Sequence, residues 1–124
     1  MLKRLVLILA YVKKDCVAGS INFQKGDCLY GRYWGCKGNY RSLHFELCYY
    51  QPIEFAISKG ISLFEAGAQG EHKLSRGYLP QKTWSAHWIK EKEFSSAINK
   101  FLDQETRMIN IHKEDLEALA PYKN

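Results

Sequence analysis

A chain of 124 residues with 46% hydrophobic and 25% charged residues has the size and composition of one ordinary globular domain. The apolar run near the N-terminus is far shorter than the about 20 residues that span a bilayer, and the four cysteines form no Cys-x-x-Cys pair, which excludes a zinc ribbon and a redox motif. The formal charge of +5 suits an anionic ligand such as a nucleotide, coenzyme A or tRNA.

The first predicted element is a strand over residues 5–12, a continuous apolar run. Its basic start imitates a signal peptide, but no small-residue cleavage site follows and Lys13-Lys14-Asp15 comes at once. We therefore interpret the run as a buried strand, and we expect a cytoplasmic protein with no membrane span.

Two more strands are predicted after it, over residues 17–23 and 28–34. The first alternates apolar and polar positions, and residues 24–27 between them carry the Gly-Asp chemistry of a tight turn. Strands joined by such short connections indicate an antiparallel meander.

A helix is predicted from Leu43 to about Lys59, with Ser42 as its N-cap and Gly60 as its stop. Pro52 lies inside it, where it removes one backbone donor and is expected to bend the helix.

The rest of the chain predicts a short strand, a long loop, another strand and a helix. Residues 61–65 and 84–89 are the strands, residues 66–82 the loop, and residues 94–102 an amphipathic helix with apolar residues at helical spacing. A further short helix is expected around Leu116 and Leu119. We expect residues 1–108 to form the main domain and residues 109–124 a tail.

Five stretches, taken in order, resemble the C-terminal part of a bacterial family described as peptidoglycan biosynthesis and recognition proteins. They are residues 29–36, 43–51, 64–73, 76–80 and 85–88. That family is placed near the FemAB aminoacyltransferases, within the GNAT acyltransferase superfamily. The resemblance implies an α/β (α+β) fold with a mixed, mainly antiparallel sheet flanked by helices, truncated at the N-terminus.

The resemblance also implies a site for an acyl donor. In GNAT proteins the loop before the central helix binds the coenzyme A pyrophosphate, and residues 35–42 correspond to it here. This loop offers Lys37 and Arg41 but lacks the superfamily's Arg/Gln-x-x-Gly-x-Gly/Ala pattern. FemAB-like relatives lack the pattern too and use aminoacyl-tRNA. The donor is thus acyl-CoA or aminoacyl-tRNA, with no tightly bound cofactor, and a plain solvated loop is the alternative.

The glycine-rich stretch of residues 64–80 is the candidate active site. Residues 72–78 resemble a FemAB segment beside the transferred acyl group, which implies that Lys73 stabilises an oxyanion or a donor phosphate, with Arg76 and Gly77 next to it. Direct transfer to an amine also needs a base, for which the available residues are Glu65, Glu71 and His72. The alternative is a solvated connection between strands.

Residues of the third strand are candidates for substrate binding. Tyr30 and Arg32 are two apart, so we expect both on one face of the sheet with Trp34 beside them. On a cleft, Arg32 would clamp a phosphate or carboxylate and Tyr30 would donate a hydrogen bond. The alternative is a surface arginine packed over aromatic rings.

Other residues with reactive side chains carry weaker signals. His44 and His87 are expected to be structural, and a Cys36 nucleophile paired with His72 has no support in the spacing. No metal site is predicted. Nucleic-acid stacking by the tryptophans and tyrosines is a further alternative.

The resemblance implies acyl or aminoacyl transfer to an amine acceptor, by direct attack without a metal, linked to cell-wall (peptidoglycan) metabolism. The rival hypothesis is a catalytically inactive fragment or half-domain that binds a partner. An expected free sheet edge at residues 5–12 predicts a homodimer, or a complex with a separately encoded N-terminal half.

Overall fold

The computed structural model describes residues 4–67 and 71–122 of the chain, and only the backbone of Glu71. The chain divides into two compact units, which we call the sheet unit (Met1–Gln69) and the helical unit (Gly70–Asn124). Each unit is described by itself.

The sheet unit contains a four-stranded, mainly antiparallel sheet. Its strands are β1 (Leu5–Val12), β2 (Asp15–Lys25), β3 (Cys28–Cys36) and β4 (Leu63–Glu65), in the spatial order β1-β2-β3-β4. Strands β1 to β3 are antiparallel, whereas β4 runs parallel to β3. The α+β fold class and the predicted meander are therefore confirmed. The prediction that the first strand is buried is wrong, because no residue of β1 is buried at this edge of the sheet.

Two-residue turns set the register of this meander. Val12 pairs with Asp15 around the first turn, and Lys25 pairs with Cys28 around the second. The second turn contains Gly26 at a φ of 58°, a left-handed conformation that glycine adopts without strain. The Gly-Asp signal in the sequence thus predicted a real hairpin.

The predicted helix forms in three consecutive parts: α1 (Leu43–Phe45), a π-helical turn (Glu46–Tyr50) and α2 (Gln51–Ser58). Pro52 lies in the first turn of α2, directly after the π-helical turn. Because its ring nitrogen has no proton to donate and crowds the preceding turn, the helix widens before it. The sequence located this irregularity but not its π-helical form.

The two ends of this helical segment differ in how well they were predicted. Ser42 occupies the predicted N-cap position, and its carbonyl accepts Phe45 N–H at 3.0 Å, but its φ is 62° and its side chain makes no cap hydrogen bond. Gly60 is the stop that was predicted: its φ is 65°, its N–H donates to Ile57 O at 3.1 Å, and Ile61 N–H donates to Ala56 O at 2.9 Å. This pair of bonds is a Schellman motif.

The core of the sheet unit lies between the sheet and this helical segment. Leu29, Ala56 and Ile61 are buried together, and partly buried side chains including Phe64 pack against them. Beside this core, buried Ser20 donates to Leu47 O at 2.6 Å and accepts from Asn22 Nδ2 at 3.3 Å. A hydroxyl on β2 is thereby bonded to a carbonyl of the π-helical turn.

The helical unit begins with a 3₁₀ helix (Glu71–Arg76) and ends with the long helix α3 (Lys92–Ala118). The predicted helix at residues 94–102 and the predicted short helix near Leu116 belong to this single helix. The strand predicted over residues 84–89 is wrong, because residues 77–91 form neither helix nor strand. An alternating pattern makes a strand only where a neighbouring strand takes its hydrogen bonds, and the described part of this unit offers none.

Candidate functional site

Strands β3 and β4 separate at their carboxyl ends. They pair over three positions, of which the last is Tyr30 with Glu65. Strand β3 then continues to Cys36, paired with β2 alone in the part that the structure describes, while β4 ends. Directly after Tyr30, the side of β3 that faced β4 therefore has no strand partner among the described residues. Ligands bind at the carboxyl ends of strands in parallel arrangements, so this opening is a candidate site.

A β-bulge lies at the same point of β3. Asn22 pairs with Gly31 but its neighbour Ile21 pairs with Tyr33, which makes Arg32 the extra residue. Bulges re-aim side chains and are enriched next to active sites. The exposed Arg32 side chain thus lies where the two strands part.

The bulge corrects one prediction about the third strand. Tyr30 lies opposite Phe23, whereas Trp34 lies opposite Ser20, whose side chain is on the helix-covered face. The rings of Trp34 and His44 are 4.9 Å apart. Because one inserted residue reverses the alternation, Tyr30 and Trp34 lie on opposite faces, not on one face as expected.

Tyr30 and Glu65 form the chemical centre of this opening. Directly opposed residues of neighbouring strands have side chains on one face, and both of these side chains reach solvent at least in part. Interaction with the Cys28 side chain, desolvation and the negative charge of Glu65 raise the pKa of Tyr30. The phenol therefore keeps its proton at neutral pH and is available as a donor beside a carboxylate.

Cys28, which contributes to the raised pKa of Tyr30, was not among the residues predicted from the sequence. It lies two residues before Tyr30 on the same strand, so alternation alone would have put both side chains on one face. The Cys28 thiol is buried, and its Sγ lies 3.8 Å from Leu29 O.

The loop predicted to hold the donor lies at the far end of β3. Lys37 N–H donates to Val17 O at 2.8 Å, which extends the ladder between β2 and β3 by one bond. Lys37 also lines an open depression of about 290 Å³ formed with residues 16–19 and 35–36. Arg41 is exposed and is not among the lining residues of this depression.

The remaining candidates share the 3₁₀ helix of the helical unit. His72 O accepts from Ser75 Oγ at 2.8 Å and from Arg76 Nη1 at 2.7 Å, so the guanidinium folds back over its own turn. Burial lowers the pKa of Lys73. Gly77 has a φ of 88°, and a Cβ there would lie 2.9 Å from the Tyr122 ring.

The structure thus brings the predicted residues together in two groups. Tyr30, Arg32 and Glu65 lie at the strand opening of the sheet unit, and His72, Lys73, Arg76 and Gly77 lie in and just after one turn of the helical unit. The side chain of Glu71, the third candidate base, lies outside the described residues, as do residues 68–70 of the glycine-rich loop.

The two histidines that were expected to be structural differ in their surroundings. His44 packs its ring against Trp34, Phe45 and Tyr49, as expected of a structural histidine. His87 is exposed and lies 3.1 Å from Ser85 Oγ.

Two wider properties concern only the described residues. No three His, Cys, Asp or Glu side chains there come together in a way that would hold a metal ion. Within the same ranges, no helix is long and apolar enough to cross a bilayer.

Comparison with known proteins identifies a family. Searches of curated proteins and of solved structures found no match to this chain. The family profile called FemAB-like, described as peptidoglycan biosynthesis and recognition, matches residues 1–124. The match spans the whole strand opening and the 3₁₀ helix, and the chain belongs to the FemAB-like family of peptidoglycan biosynthesis and recognition.

Proposed function

We propose that this chain acts in acyl or aminoacyl transfer to an amine in peptidoglycan metabolism, with a GNAT-like sheet as its scaffold. The observation that carries the proposal is the pairing of Tyr30 with Glu65 at the point where β3 and β4 part. It sets a hydrogen-bond donor beside a carboxylate, next to a stretch of β3 that no described strand pairs with on this side. Membership of the FemAB-like family supports the link to peptidoglycan.

In the proposed reaction an amine attacks the carbonyl carbon of an ester or thioester, and the leaving oxygen or sulfur takes up a proton as the amide forms. Glu65 accepts the proton from the attacking nitrogen, and Tyr30 donates a hydrogen bond to substrate. Arg32, aimed by the bulge, binds a phosphate or carboxylate of one substrate.

Lys73 has the role of an electrostatic partner for the donor. Burial lowers its pKa because the ammonium is partly desolvated, and a bound anion would restore the preference for the charged form. Arg76 and Gly77 belong to the same turn. His72 and Glu71 stay alternatives to Glu65 as the base.

The donor is acyl-CoA or aminoacyl-tRNA, and the relation to FemAB proteins favours aminoacyl-tRNA, a cytoplasmic substrate. Calorimetric titration of the purified chain with acetyl-CoA, and in parallel with a charged tRNA, chooses between them. We expect saturable heat with one donor. The affinity for that donor should fall at least tenfold in Lys73→Ala. It should be unchanged in Lys59→Ala, which removes an exposed lysine of the sheet unit. A folded chain that gives no heat with either donor contradicts the proposal.

A second candidate function is a half-domain that works together with another polypeptide. Strand β1 lies at one edge of the sheet and contains no charged residue and no proline, and its Leu7, Leu9 and Tyr11 side chains are exposed. Such an edge tends to pair with another strand. Light scattering at micromolar concentration tests this candidate, since a monodisperse monomer argues against a homodimer.

A further inference from the structure

The irregular segment between the two helices of the helical unit carries the most exposed aromatic rings that the structure describes. Trp84 is 87% exposed and Trp88 is 84% exposed, and every residue from 81 to 88 is exposed. Trp34, in contrast, packs its ring against His44. Large apolar side chains left in water mark interaction surfaces. We call residues 79–92 the tryptophan segment.

Lysines flank these two tryptophans in the sequence. Lys82, Lys90 and Lys92 are all exposed, against the acidic residue Glu91 within the tryptophan segment and Glu93 directly after it. None of the three lysines forms an ion pair with another described residue. The segment therefore joins an apolar surface to a net positive charge, and its partner must be anionic with an apolar layer.

We propose that the tryptophan segment binds the surface of a lipid bilayer that contains anionic lipids. Tryptophan rings prefer the headgroup level, with one side in contact with acyl chains, and lysines beside them bind lipid phosphates. The contact is peripheral and places the chain at a membrane surface. This inference does not depend on the proposed transfer reaction.

The residues at both ends of the segment favour lipid over nucleic acid. Leu79 and Phe94 are exposed on either side of the two tryptophans. An acyl-chain boundary takes up aliphatic and aromatic side chains alike, whereas bases stack on rings only. Beyond Glu93, α3 carries acidic residues at Asp103 and Glu105 and an acidic cluster at Glu114, Asp115 and Glu117, which limits the contact to the start of this helix.

Cosedimentation with vesicles tests this proposal on the full chain. Vesicles of phosphatidylcholine with about one third phosphatidylglycerol should bind the protein, and pure phosphatidylcholine vesicles should bind it much more weakly. Replacing Lys82, Lys90 and Lys92 with Gln should lower the affinity roughly fivefold for each lysine removed. The matched control replaces Lys14, Lys25 and Lys59, which are exposed in the sheet unit, and should lower it far less.

Substitutions of the two tryptophans test the contribution of their rings to vesicle binding. Trp84→Ala with Trp88→Ala should weaken binding roughly tenfold for each ring, whereas Tyr33→Ala, at an exposed ring of the sheet unit, should leave it unchanged. Tryptophan emission of the unmodified protein should also shift to shorter wavelength on adding anionic vesicles, a readout that needs no variant.

Three results would overturn the inference. One is an equal loss of vesicle binding when either set of three lysines is replaced, which would mean that net charge alone attracts the protein to the vesicles. Another is an emission spectrum that does not change with vesicles. The last is binding to a single-stranded oligonucleotide that displaces the vesicles through the same tryptophans, which would assign the segment to nucleic acid.

Discussion

Asp27 holds Ser62 through both oxygens of its carboxylate. Oδ1 accepts the Ser62 backbone N–H at 2.9 Å and Oδ2 accepts the Ser62 hydroxyl, while Asp27 O accepts Leu63 N–H at 3.2 Å. The turn before β3 is thereby fastened to the residue before β4. These bonds help to fix the parallel pairing that ends at Tyr30 and Glu65.

The Asp27 contact predicts a loss of stability in acid. Its hydrogen bonds with Ser62 lower the pKa of Asp27 from 3.8, so the folded protein binds this proton less readily than the unfolded chain. The contribution is fully present above pH 3.8 and is lost as the pH falls through the folded-state pKa. We expect Asp27→Asn to remove this part of the acid dependence, measured as the thermal midpoint between pH 5 and pH 3. Identical pH slopes in the two proteins would contradict this assignment.

The proposed base predicts a large and specific loss of activity. Glu65→Gln should lower kcat by roughly 10²- to 10⁴-fold and flatten the acidic side of the pH profile of kcat/KM, because the amide accepts no proton. Tyr30→Phe should lower kcat about 3- to 10-fold through loss of one hydrogen bond. Glu54→Gln, at an exposed carboxylate of α2, is the control. Full activity in Glu65→Gln would move the role of base to His72 or Glu71.

The bond between β2 and the π-helical turn predicts a stability difference between two serines. Ser20→Ala should lower the free energy of unfolding by about 1–3 kcal/mol, because it leaves Leu47 O and the Asn22 amide without their buried partner. Ser58→Ala removes a hydrogen bond of similar length, 2.8 Å to Phe55 O, at an exposed site and should change it by less than about 1 kcal/mol. Urea denaturation compares the two, and equal effects would show that burial is not decisive here.

Three glycines give a graded prediction. Gly77→Ala and Gly26→Ala should each lower the free energy of unfolding by about 1–2 kcal/mol, since both residues have φ values in the left-handed region. Gly35→Ala meets no atom within 4 Å and lies in extended backbone, so its stability should stay within about 0.5 kcal/mol of the parent. The exposed Tyr122 ring is free to move aside from a new methyl group at position 77, so strain dominates there. Hydrogen exchange of each unit measures these changes.

The thiols predict a further difference in reactivity. Burial raises the pKa of Cys48 to about 11, so little thiolate is present at pH 8. We expect Cys48 to be alkylated more slowly than Cys16 in the folded protein and at the same rate in urea. Mass spectrometry of partly alkylated protein measures both rates, and fast labelling of native Cys48 would be the contrary result.

Local signals explain which parts of the fold the sequence predicted. The hairpin at Gly26 and the helix stop at Gly60 depend on conformations that glycine favours, so they are visible in a few consecutive residues. The strand expected at residues 84–89 depends on a neighbour, and alternation carries no information about whether one exists.

The candidate site was predictable by residue type and not by arrangement. Glu65 and Tyr30 were both candidates, but their pairing joins positions far apart in the chain and no short motif encodes it. The bulge at Arg32 depends on how β3 pairs with β2, so the face of Trp34 was assigned wrongly. The transfer roles of these residues stay predictions.

The short turns of the meander have a consequence for the order in which the chain folds. The hairpins of β1, β2 and β3 close over two residues, whereas Asp27 and Ser62 are separated by 35 positions. Closing a long loop costs more entropy and comes after local pairing. We therefore expect strand β4 to dock late, so that a chain emerging from the ribosome forms its meander before the opening beside Glu65.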